Sequence, residues 1–194
     1  IRNLMQIYGI DGFRFDLMGI IDVATMNKIR NEAIRNNPSA LIYGEGWDMP
    51  TMLQGSQKAN IHNQGAMPHI GHFNDYFRDV FKGKTSESEK YERGYATGNW
   101  NNAFASLAAL TGNVLDTPHF KRFFSPDQSI NGFETHDNST VWDKMHACCN
   151  NEDRATRIRR QKMMIAITMV SQGVPFVHAG FEFCGTKKDN HNSY

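Results

Sequence analysis

Short apolar runs alternate with amphipathic stretches along much of the chain. The run at 10–16 predicts a buried strand, and residues 40–45 predict a second strand. Between them, Asp22 is a candidate helix cap, apolar residues recur at helical spacing, and Pro38 predicts the end of that helix. A strand, helix and strand with short joints form a right-handed parallel crossover. The sequence therefore predicts a parallel sheet.

The last third of the chain repeats this order. Residues 129–135 and 174–179 predict strands, and residues 152–172 between them predict a helix that ends at Gly173. Within this helix the run 163–170 is apolar nearly all round, which predicts that the helix is buried. Strands that alternate with helices of this length indicate an α/β fold, either a barrel or an open doubly wound sheet.

The middle of the chain is more polar. Residues 47–71 predict a long loop, which in a compact domain usually has a function. Residues 72–81 predict a strand end that runs into a helix, residues 82–98 predict exposed polar surface, and residues 103–110 predict a helix. With 194 residues, the chain is expected to form one domain.

The composition excludes several classes of protein. Apolar residues make up 40% of the chain and charged residues 21%, so the chain can bury a core. The formal net charge is +1 and no long basic run occurs, so nucleic acid is not an expected partner. No apolar run approaches the ~20 residues that cross a bilayer, so no membrane span is expected. Cys148, Cys149 and Cys184 fit neither a disulfide framework nor a zinc site, and reduced thiols are expected.

Candidate catalytic side chains lie at the carboxyl ends of the predicted strands. In parallel α/β folds this edge of the sheet carries the active site. Arg14 and Asp16 lie two apart on the first strand and therefore share a face. The guanidinium would hold Asp16 ionised, as a nucleophile must be. The alternative is a structural pair that only stabilises the strand end.

Glu45 follows the second strand, between two glycines and close to Trp47. The glycines let another group approach closely, and an apolar wall raises the pKa of a carboxyl group, which suits a general acid. A turn residue without catalytic function is the alternative. His136, Asp137 and Asn138 follow the third strand, and three interpretations stay open for them: binding of a polyhydroxyl ligand, binding of a metal, or initiation of a turn.

These residues favour two classes of hydrolase. An ionised aspartate, a glutamate near a tryptophan and a His-Asp pair suit glycoside hydrolysis, in which one carboxylate is the nucleophile and one protonated carboxyl group is the acid. Metal-assisted hydrolysis by Asp and His ligands is the competing class. His62, His69 and His72 lie in a polar stretch without thiolates or paired carboxylates, so they predict no metal site.

Three segments resemble, in the same order, signature regions of the α-amylase superfamily of glycoside hydrolases, and most closely its type I pullulanase branch. They are Gly12-Phe13-Arg14-Phe15-Asp16-Leu17-Met18-Gly19, Tyr43-Gly44-Glu45-Gly46-Trp47 and Glu134-Thr135-His136-Asp137-Asn138. The superfamily's first signature region, an Asp and an Asn-His pair, does not occur in the chain. The resemblance therefore implies an α/β fold that is a partial (β/α)8 TIM barrel, about strands four to eight, cut from a longer protein. Residues 1–194 would be the C-terminal part of one catalytic domain, with no second domain.

The resemblance implies three catalytic carboxyl groups. Asp16 would be the nucleophile, Glu45 the general acid and then base, and Asp137 the residue that stabilises the transition state through the sugar hydroxyls. A retaining mechanism requires Asp16 and Glu45 about 5–5.5 Å apart. Four further residues would bind the substrate: Arg14, His136, Trp47 and Asn138. No metal and no cofactor is implied, and the expected partners are an α-glucan and the remainder of the same barrel.

The pullulanase-like segments predict cleavage of α-1,6 branch points in pullulan, starch or glycogen-derived dextrins. An α-1,4-acting, amylase-like or neopullulanase-like hydrolase is the alternative, because Phe181 and Gly185 differ from the usual family pattern. Two further alternatives are an inactive fragment, when the chain is isolated from the rest of its barrel, and a sugar-binding homologue that has lost catalysis.

Overall fold

The computed structural model describes residues 1–117 and 119–193. The strands are β1 (Gly12–Phe15), β2 (Leu41–Gly44), β3 (Ile70–Phe73), β4 (Ser129–Asn131) and β5 (Val174–Pro175). The helices are α1 (Arg2–Tyr8), α2 (Val23–Asn36), α3 (Asp75–Lys82), α4 (Ala103–Leu110), α5 (Val141–Cys148) and α6 (Arg154–Val170). The chain divides into two compact units. The first unit is Ile1–Phe73 with Phe123–Ile130, and the second unit is Asn74–Arg122 with Asn131–Tyr194.

The strands are parallel and follow the chain in their hydrogen-bonded order, β1-β2-β3-β4-β5. In the first unit, Phe15 at the end of β1 lies opposite Gly44 at the end of β2, and Gly44 lies opposite His72 on β3. The carboxyl ends of these neighbouring strands are thus in register. The predicted α/β fold with a parallel sheet is confirmed.

Methionine fills much of the core of the first unit. Side chains from α1, α2, β2 and β3 form this core, and Met18, Met26 and Met67 are fully buried in it. Methionine is flexible enough to fill irregular gaps between helices and strands. Asp22 caps α2 as predicted, because its carboxylate accepts a hydrogen bond from Thr25 N at 2.8 Å.

Aromatic rings form the core of the second unit. The ring of Phe77 on α3 lies 5.0 Å from that of Phe133 and 5.1 Å from that of Phe81, measured between centroids. These distances are typical of favourable aromatic pairs. Helix α4 has the bounds predicted from the sequence. The cysteines at 148, 149 and 184 are free thiols, as predicted.

The prediction that the helix at 152–172 is buried is wrong. In α6 the exposed fractions of Met163, Met169 and Val170 are 40%, 55% and 78%. The helix packs through one face, on which Met164 and Thr168 are buried. An apolar run in the sequence therefore did not indicate a fully buried helix. Within the described residues, only the face that carries Met164 and Thr168 is covered by other side chains. Among all the described residues of the chain, no helix is long and apolar enough to cross a membrane.

The prediction that residues 82–98 form exposed polar surface holds only in part, because residues 84, 86–88, 91 and 92 are exposed whereas residues 82–83 and 96–97 are buried. Lys82 is 1% exposed, and its Nζ donates to the carbonyl of Phe133. Burial lowers the pKa of Lys82 to about 7. Thr97 is fully buried in the same unit, where its hydroxyl donates to the Lys82 carbonyl at 3.1 Å. Polar residues enter this core because each donor meets a carbonyl group.

Candidate active site

Arg14 joins two carboxylates in the first unit. Its Nη1 donates to Asp16 Oδ1, and its Nη2 donates to Glu45 Oε1 at 2.6 Å. One carboxylate oxygen of Asp16 lies within 4.8 Å of one of Glu45. Residues predicted from two different strands are therefore brought together around one guanidinium group.

The parallel pairing of β1 with β2 places these residues. Asp16 directly follows β1 and Glu45 directly follows β2, so both leave the sheet at the same edge. One more ladder bond continues the pairing, in which Glu45 N donates to Phe15 O at 3.0 Å. The Glu45 carbonyl in turn accepts from Gly19 N at 2.9 Å. The backbone of Glu45 is thus held on both sides.

The two carboxylates differ in their surroundings. Glu45 is 4% exposed, and its Oε2 accepts a hydrogen bond from Leu17 N at 2.8 Å, so each of its oxygens has a donor. Leu17 has a left-handed backbone with φ of 46°, which turns its N–H toward Glu45. The side chain of Asp16 is 57% exposed. Glu45 is therefore buried between protein donors, whereas Asp16 is the more solvent-exposed of the two carboxylates.

The glycines around Glu45 make room for protein groups. A Cβ at Gly44 would lie 2.4 Å from the carbonyl oxygen of Phe15, and a Cβ at Gly46 would lie 2.1 Å from Nδ1 of His72. Both distances are too short for any real side chain. The predicted close approach is thus made by the backbone of β1 and by an imidazole from β3.

His72 lies in β3 and is fully buried, in agreement with the strand end predicted from residue 72, although the strand begins two residues earlier, at Ile70. Within the described residues, neither of its ring nitrogens has a hydrogen-bond partner. Burial lowers the pKa of His72 to about 4, so the imidazole is neutral at neutral pH. Sequence reasoning did not predict the burial of this imidazole, because the residues before it in the chain are mostly polar.

Trp47 is half-buried and begins the segment predicted as a long loop. That segment has short 3-10 turns at Gly55–Gln57 and Ile61–Ala66 and is otherwise irregular up to β3. The carboxylate of Asp48 accepts hydrogen bonds from Lys58 Nζ and Asn60 Nδ2, each at 3.0 Å. These contacts fix the backbone next to Trp47.

His136, Asp137 and Asn138 lie together in the second unit, on the loop that leads from β4 to α5. His136 Nε2 is 3.6 Å from Asp137 Oδ1, and both side chains are more than one-third exposed. Asn138 has φ of 59°, a left-handed conformation that asparagine tolerates. Its N–H donates to the His191 carbonyl at 3.1 Å. The loop thus presents one acid and one imidazole to solvent.

Lys187 holds this loop from beneath. Its Nζ donates to three carbonyl groups, those of Thr135 at 3.4 Å, of His136, and of Asn138 at 3.0 Å. Burial lowers the pKa of Lys187. Sequence reasoning missed Lys187, because a lysine in a polar terminal stretch has no pattern that marks it as structural.

Glu134 anchors the other side of the loop. It is 4% exposed, and its Oε2 accepts a hydrogen bond from Val141 N at 2.5 Å, at the start of α5. His178 Nδ1 lies 3.5 Å from Glu134 Oε1. Burial raises the pKa of Glu134. The residues that present His136 and Asp137 are therefore fixed at both ends.

Comparison with known proteins gives strong similarity to one group. No protein-family model matches the chain. A pullulanase of Bacillus subtilis (strain 168) is 42% identical over 190 residues, which are 98% of this chain and 26% of that protein. The crystal structure of type I pullulanase from Bacillus subtilis str. 168 complexed with maltose has a TM-score of 0.95 and 41% identity, and the match covers 100% of this chain and 27% of that chain.

A second solved structure agrees. Pullulanase from Anoxybacillus sp. LM18-11, complexed with maltotriose, has a TM-score of 0.92 and 45% identity, and the match covers 99% of this chain and 26% of that chain. The chain therefore spans about a quarter of the length of the relatives that it matches. The resemblance predicted from the sequence segments is confirmed: over nearly its whole length, this chain is homologous to a stretch of the pullulanases.

Proposed function

We propose that the protein carrying this chain is a retaining glycoside hydrolase that cleaves α-1,6 branch points in pullulan and branched dextrins. The observation that carries the proposal is the Arg14 guanidinium between an open Asp16 and a buried Glu45, in a chain homologous to pullulanases. The chain would be about strands four to eight of a (β/α)8 barrel, and the rest of that barrel would be supplied by sequence outside it.

The reaction has two steps. First, the Asp16 carboxylate attacks the anomeric carbon while protonated Glu45 gives its proton to the glycosidic oxygen, so that the C–O bond breaks and the leaving sugar departs as an alcohol. Second, Glu45 takes a proton from water, whose oxygen attacks the same carbon and frees Asp16. Two inversions retain the anomeric configuration. The separation of the two carboxylates, within 4.8 Å at their nearest oxygens, supports direct attack by Asp16 without an intervening water.

Arg14 serves both steps. Two carboxylates this close disfavour each other's ionised form, and a shared cation offsets that repulsion. Arg14 contacts one oxygen of each carboxylate, so its positive charge lies between the two acids and orients both side chains. When Asp16 becomes a neutral ester, the guanidinium charge remains beside Glu45, which then works as the base.

Sugar hydroxyl groups are the proposed ligands of His136, Asp137 and Asn138. Asp137 offers half-exposed acceptor oxygens, and the backbone that carries it is fixed by Lys187 and by Glu134. A fixed carboxylate strengthens its hydrogen bonds to sugar hydroxyls as positive charge develops on the ring. The solved pullulanases named above are complexed with maltose and with maltotriose, which supports an α-glucan as the ligand class.

Specificity for the α-1,6 bond is assigned to the acceptor side, because the same carboxylates serve both linkages. An α-1,6 bond has an additional rotatable methylene group, which moves the leaving sugar outward. Trp47 lies two residues beyond Glu45 and is half-buried, so its ring offers a stacking surface that loses little entropy on binding. The ordered segment that follows, beginning at Asp48, would line the same side.

Product analysis of pullulan treated with the full-length protein tests this proposal. Maltotriose as the main product supports α-1,6 cleavage, whereas panose in its place would establish an α-1,4-acting hydrolase. Trp47→Ala should lower kcat/KM on pullulan more than on a small activated glucoside, since the small substrate has no acceptor sugar to stack. An equal loss on both substrates contradicts the assignment of Trp47.

A further inference from the structure

The second unit contains a cavity of about 420 Å³ that none of the proposed catalytic or substrate-binding residues lines. Its volume lies within the range of about 300–1,000 Å³ that is typical of ligand pockets. One face of α5 and two irregular segments form its walls. The lining residues are Lys90, Tyr91, Asp143, His146, Ala147, Asn150, Lys188 and Asp189. We propose that this cavity is a second binding site for a neutral oligosaccharide, and specifically for a segment of an α-glucan chain.

The charges of the walls favour a neutral ligand. Lys90 and Lys188 contribute positive charge, and Asp143 and Asp189 contribute negative charge, so the formal charges cancel. An anion that enters meets two carboxylates, and a cation meets two ammonium groups. A polyhydroxylated sugar instead donates hydrogen bonds to the carboxylates and accepts them from the ammonium groups.

His146 and Asn150 add hydrogen-bonding groups of defined polarity. Nδ1 of His146 lies 2.9 Å from the carbonyl oxygen of Trp142, one turn earlier in α5. A carbonyl only accepts, so Nδ1 carries a proton, and Nε2 is the ring nitrogen left for a ligand. The rings of Trp142 and His146 meet edge to face, with 4.9 Å between centroids, which restrains the imidazole. Asn150 is exposed and offers both a donor and an acceptor.

Tyr91 offers a flat surface for a sugar ring. Its side chain is 66% exposed, although it lies at the wall of a cavity. Lys90 Nζ lies 5.7 Å from the centroid of its ring, so the ammonium group contacts one face of a ring that is otherwise largely exposed. The C–H face of a pyranose packs well on such a ring, while its hydroxyl groups reach the polar walls.

The wall that carries Lys188 and Asp189 is built into the fold. The Asp143 carboxylate accepts hydrogen bonds from Thr186 Oγ1 at 2.5 Å and from Lys187 N at 2.8 Å. Lys188 and Asp189 have φ of 53° and 60°, a left-handed conformation that is costly for lysine and that aspartate tolerates better. The anchored Asp143 therefore fixes the two residues that lead directly into this wall.

The choice of an α-glucan among neutral sugars rests on the proposed function, so the test separates the two. Adsorption to insoluble starch is measured for the full-length protein with Asp16→Asn, which stops turnover, and for the same protein with Tyr91→Ala added. We expect Tyr91→Ala to weaken adsorption by about fivefold, which corresponds to the loss of one stacked ring. Tyr91→Phe should retain most of the affinity. Tyr8→Ala is the matched control, because Tyr8 is 71% exposed and does not line the cavity.

Kinetics on a small activated maltotrioside complete the test in the protein with Asp16 intact. Tyr91→Ala should leave kcat and KM on this substrate unchanged, because none of the proposed catalytic or substrate-binding residues lines the cavity. Unaltered starch adsorption by Tyr91→Ala, or equal loss in Tyr91→Phe, would overturn the inference. A loss of small-substrate activity in parallel with adsorption would also overturn it. Absence of pullulan hydrolysis by the wild-type protein would instead refute the proposed function, while the dependence of adsorption on Tyr91 is measured separately.

Discussion

The guanidinium of Arg14 donates to Glu45 across two neighbouring strands, with 2.6 Å between Nη2 and Oε1, while its other terminal nitrogen donates to Asp16. Arg14 also lies over the ring of Phe73, 5.7 Å from its centroid, so an aromatic face from β3 backs the cation. Three parallel strands thus position one positive charge between two acids. The proposed chemistry depends on that charge.

Arg14→Ala should therefore lower kcat/KM on a small activated glucoside by about 10²- to 10³-fold, because the two carboxylates lose the cation that orients and separates them. Arg14→Lys should recover only part of this loss, since one ammonium group cannot bond both acids in a fork. Steady-state kinetics of the full-length protein measure both variants. Arg35→Ala is the control, because the Arg35 side chain is 74% exposed on α2. Activity of Arg14→Ala within twofold of wild type would contradict the account.

The effect of substituting Glu45 should depend on the leaving group of the substrate, whereas the effect of substituting Asp16 should not. Glu45→Gln should cost about 10²- to 10⁴-fold on pullulan, where the departing sugar needs a proton. On a substrate with an acidic leaving group, formation of the glycosyl ester should be nearly unaffected, because no protonation is required. Asp16→Asn should abolish turnover of both substrates. Pre-steady-state release of the leaving group measures this difference, and equal losses in Glu45→Gln on both substrates would show that Glu45 is not the acid.

Buried His72 should make the protein less stable at mildly acidic pH. The pKa of His72 is about 4 in the folded protein, against an ordinary value of 6.5 in the unfolded chain. Between pH 6.5 and pH 4 the imidazole is therefore protonated in the unfolded chain and neutral in the folded protein. The free energy of unfolding therefore falls as pH decreases from 6.5 to about 4, by up to about 3 kcal/mol, and this contribution changes little at lower pH. His72→Leu should flatten this dependence.

Thermal unfolding at pH 7 and pH 5 measures the effect of His72. The drop in melting temperature should be smaller in His72→Leu than in wild type. His62→Leu is the control, because His62 is exposed in the same unit. An unchanged drop in His72→Leu would show that the imidazole is not the group that titrates. The substitution His72→Leu also removes two buried nitrogens that have no hydrogen-bond partner in the described residues. We therefore expect this variant to lose less stability at pH 7 than a typical core substitution causes.

The isolated 194-residue chain should be inactive. Strands β1 and β5 are the outer strands of the described sheet, and large apolar side chains such as Ile7 and Val170 are 69% and 78% exposed. Unpaired edges and exposed apolar groups favour aggregation or a molten state. We expect no hydrolysis of pullulan by the purified chain and recovery of activity on addition of the missing part of the barrel as a second polypeptide. Robust hydrolysis by the chain alone would contradict this expectation.

Local signals predicted several features of the fold correctly. Asp22 caps α2, and the two strands on either side of that helix pair in parallel. The meeting of Arg14, Asp16 and Glu45 followed from the same rule, since the carboxyl ends of adjacent parallel strands share one edge. These features depend on short-range order along the chain and on one strand pairing.

Other features of the fold depend on contacts between distant parts of the chain, and no local sequence pattern predicted them. Helices α1 and α5 were not predicted, and the strands at 129–135 and 174–179 are shorter than their apolar patterns, because strand length is set by what a neighbour can pair. Lys82 and Lys187 are used inside the second unit, where each ammonium group meets backbone carbonyls that come from far along the chain. A lysine that binds carbonyls has the same local pattern as a solvated one.

Asp16 can be identified as the nucleophile by trapping the covalent intermediate on the full-length protein. A 5-fluoro-glycosyl fluoride reacts with a retaining enzyme by loss of the anomeric fluoride, and the ring fluorine slows hydrolysis of the resulting ester. Peptide mass spectrometry then locates the added sugar. We expect one glycosyl group on the Asp16 carboxylate, and none in Asp16→Asn. A glycosyl ester on a different carboxylate, or turnover of this reagent with inversion and without any adduct, would contradict this assignment.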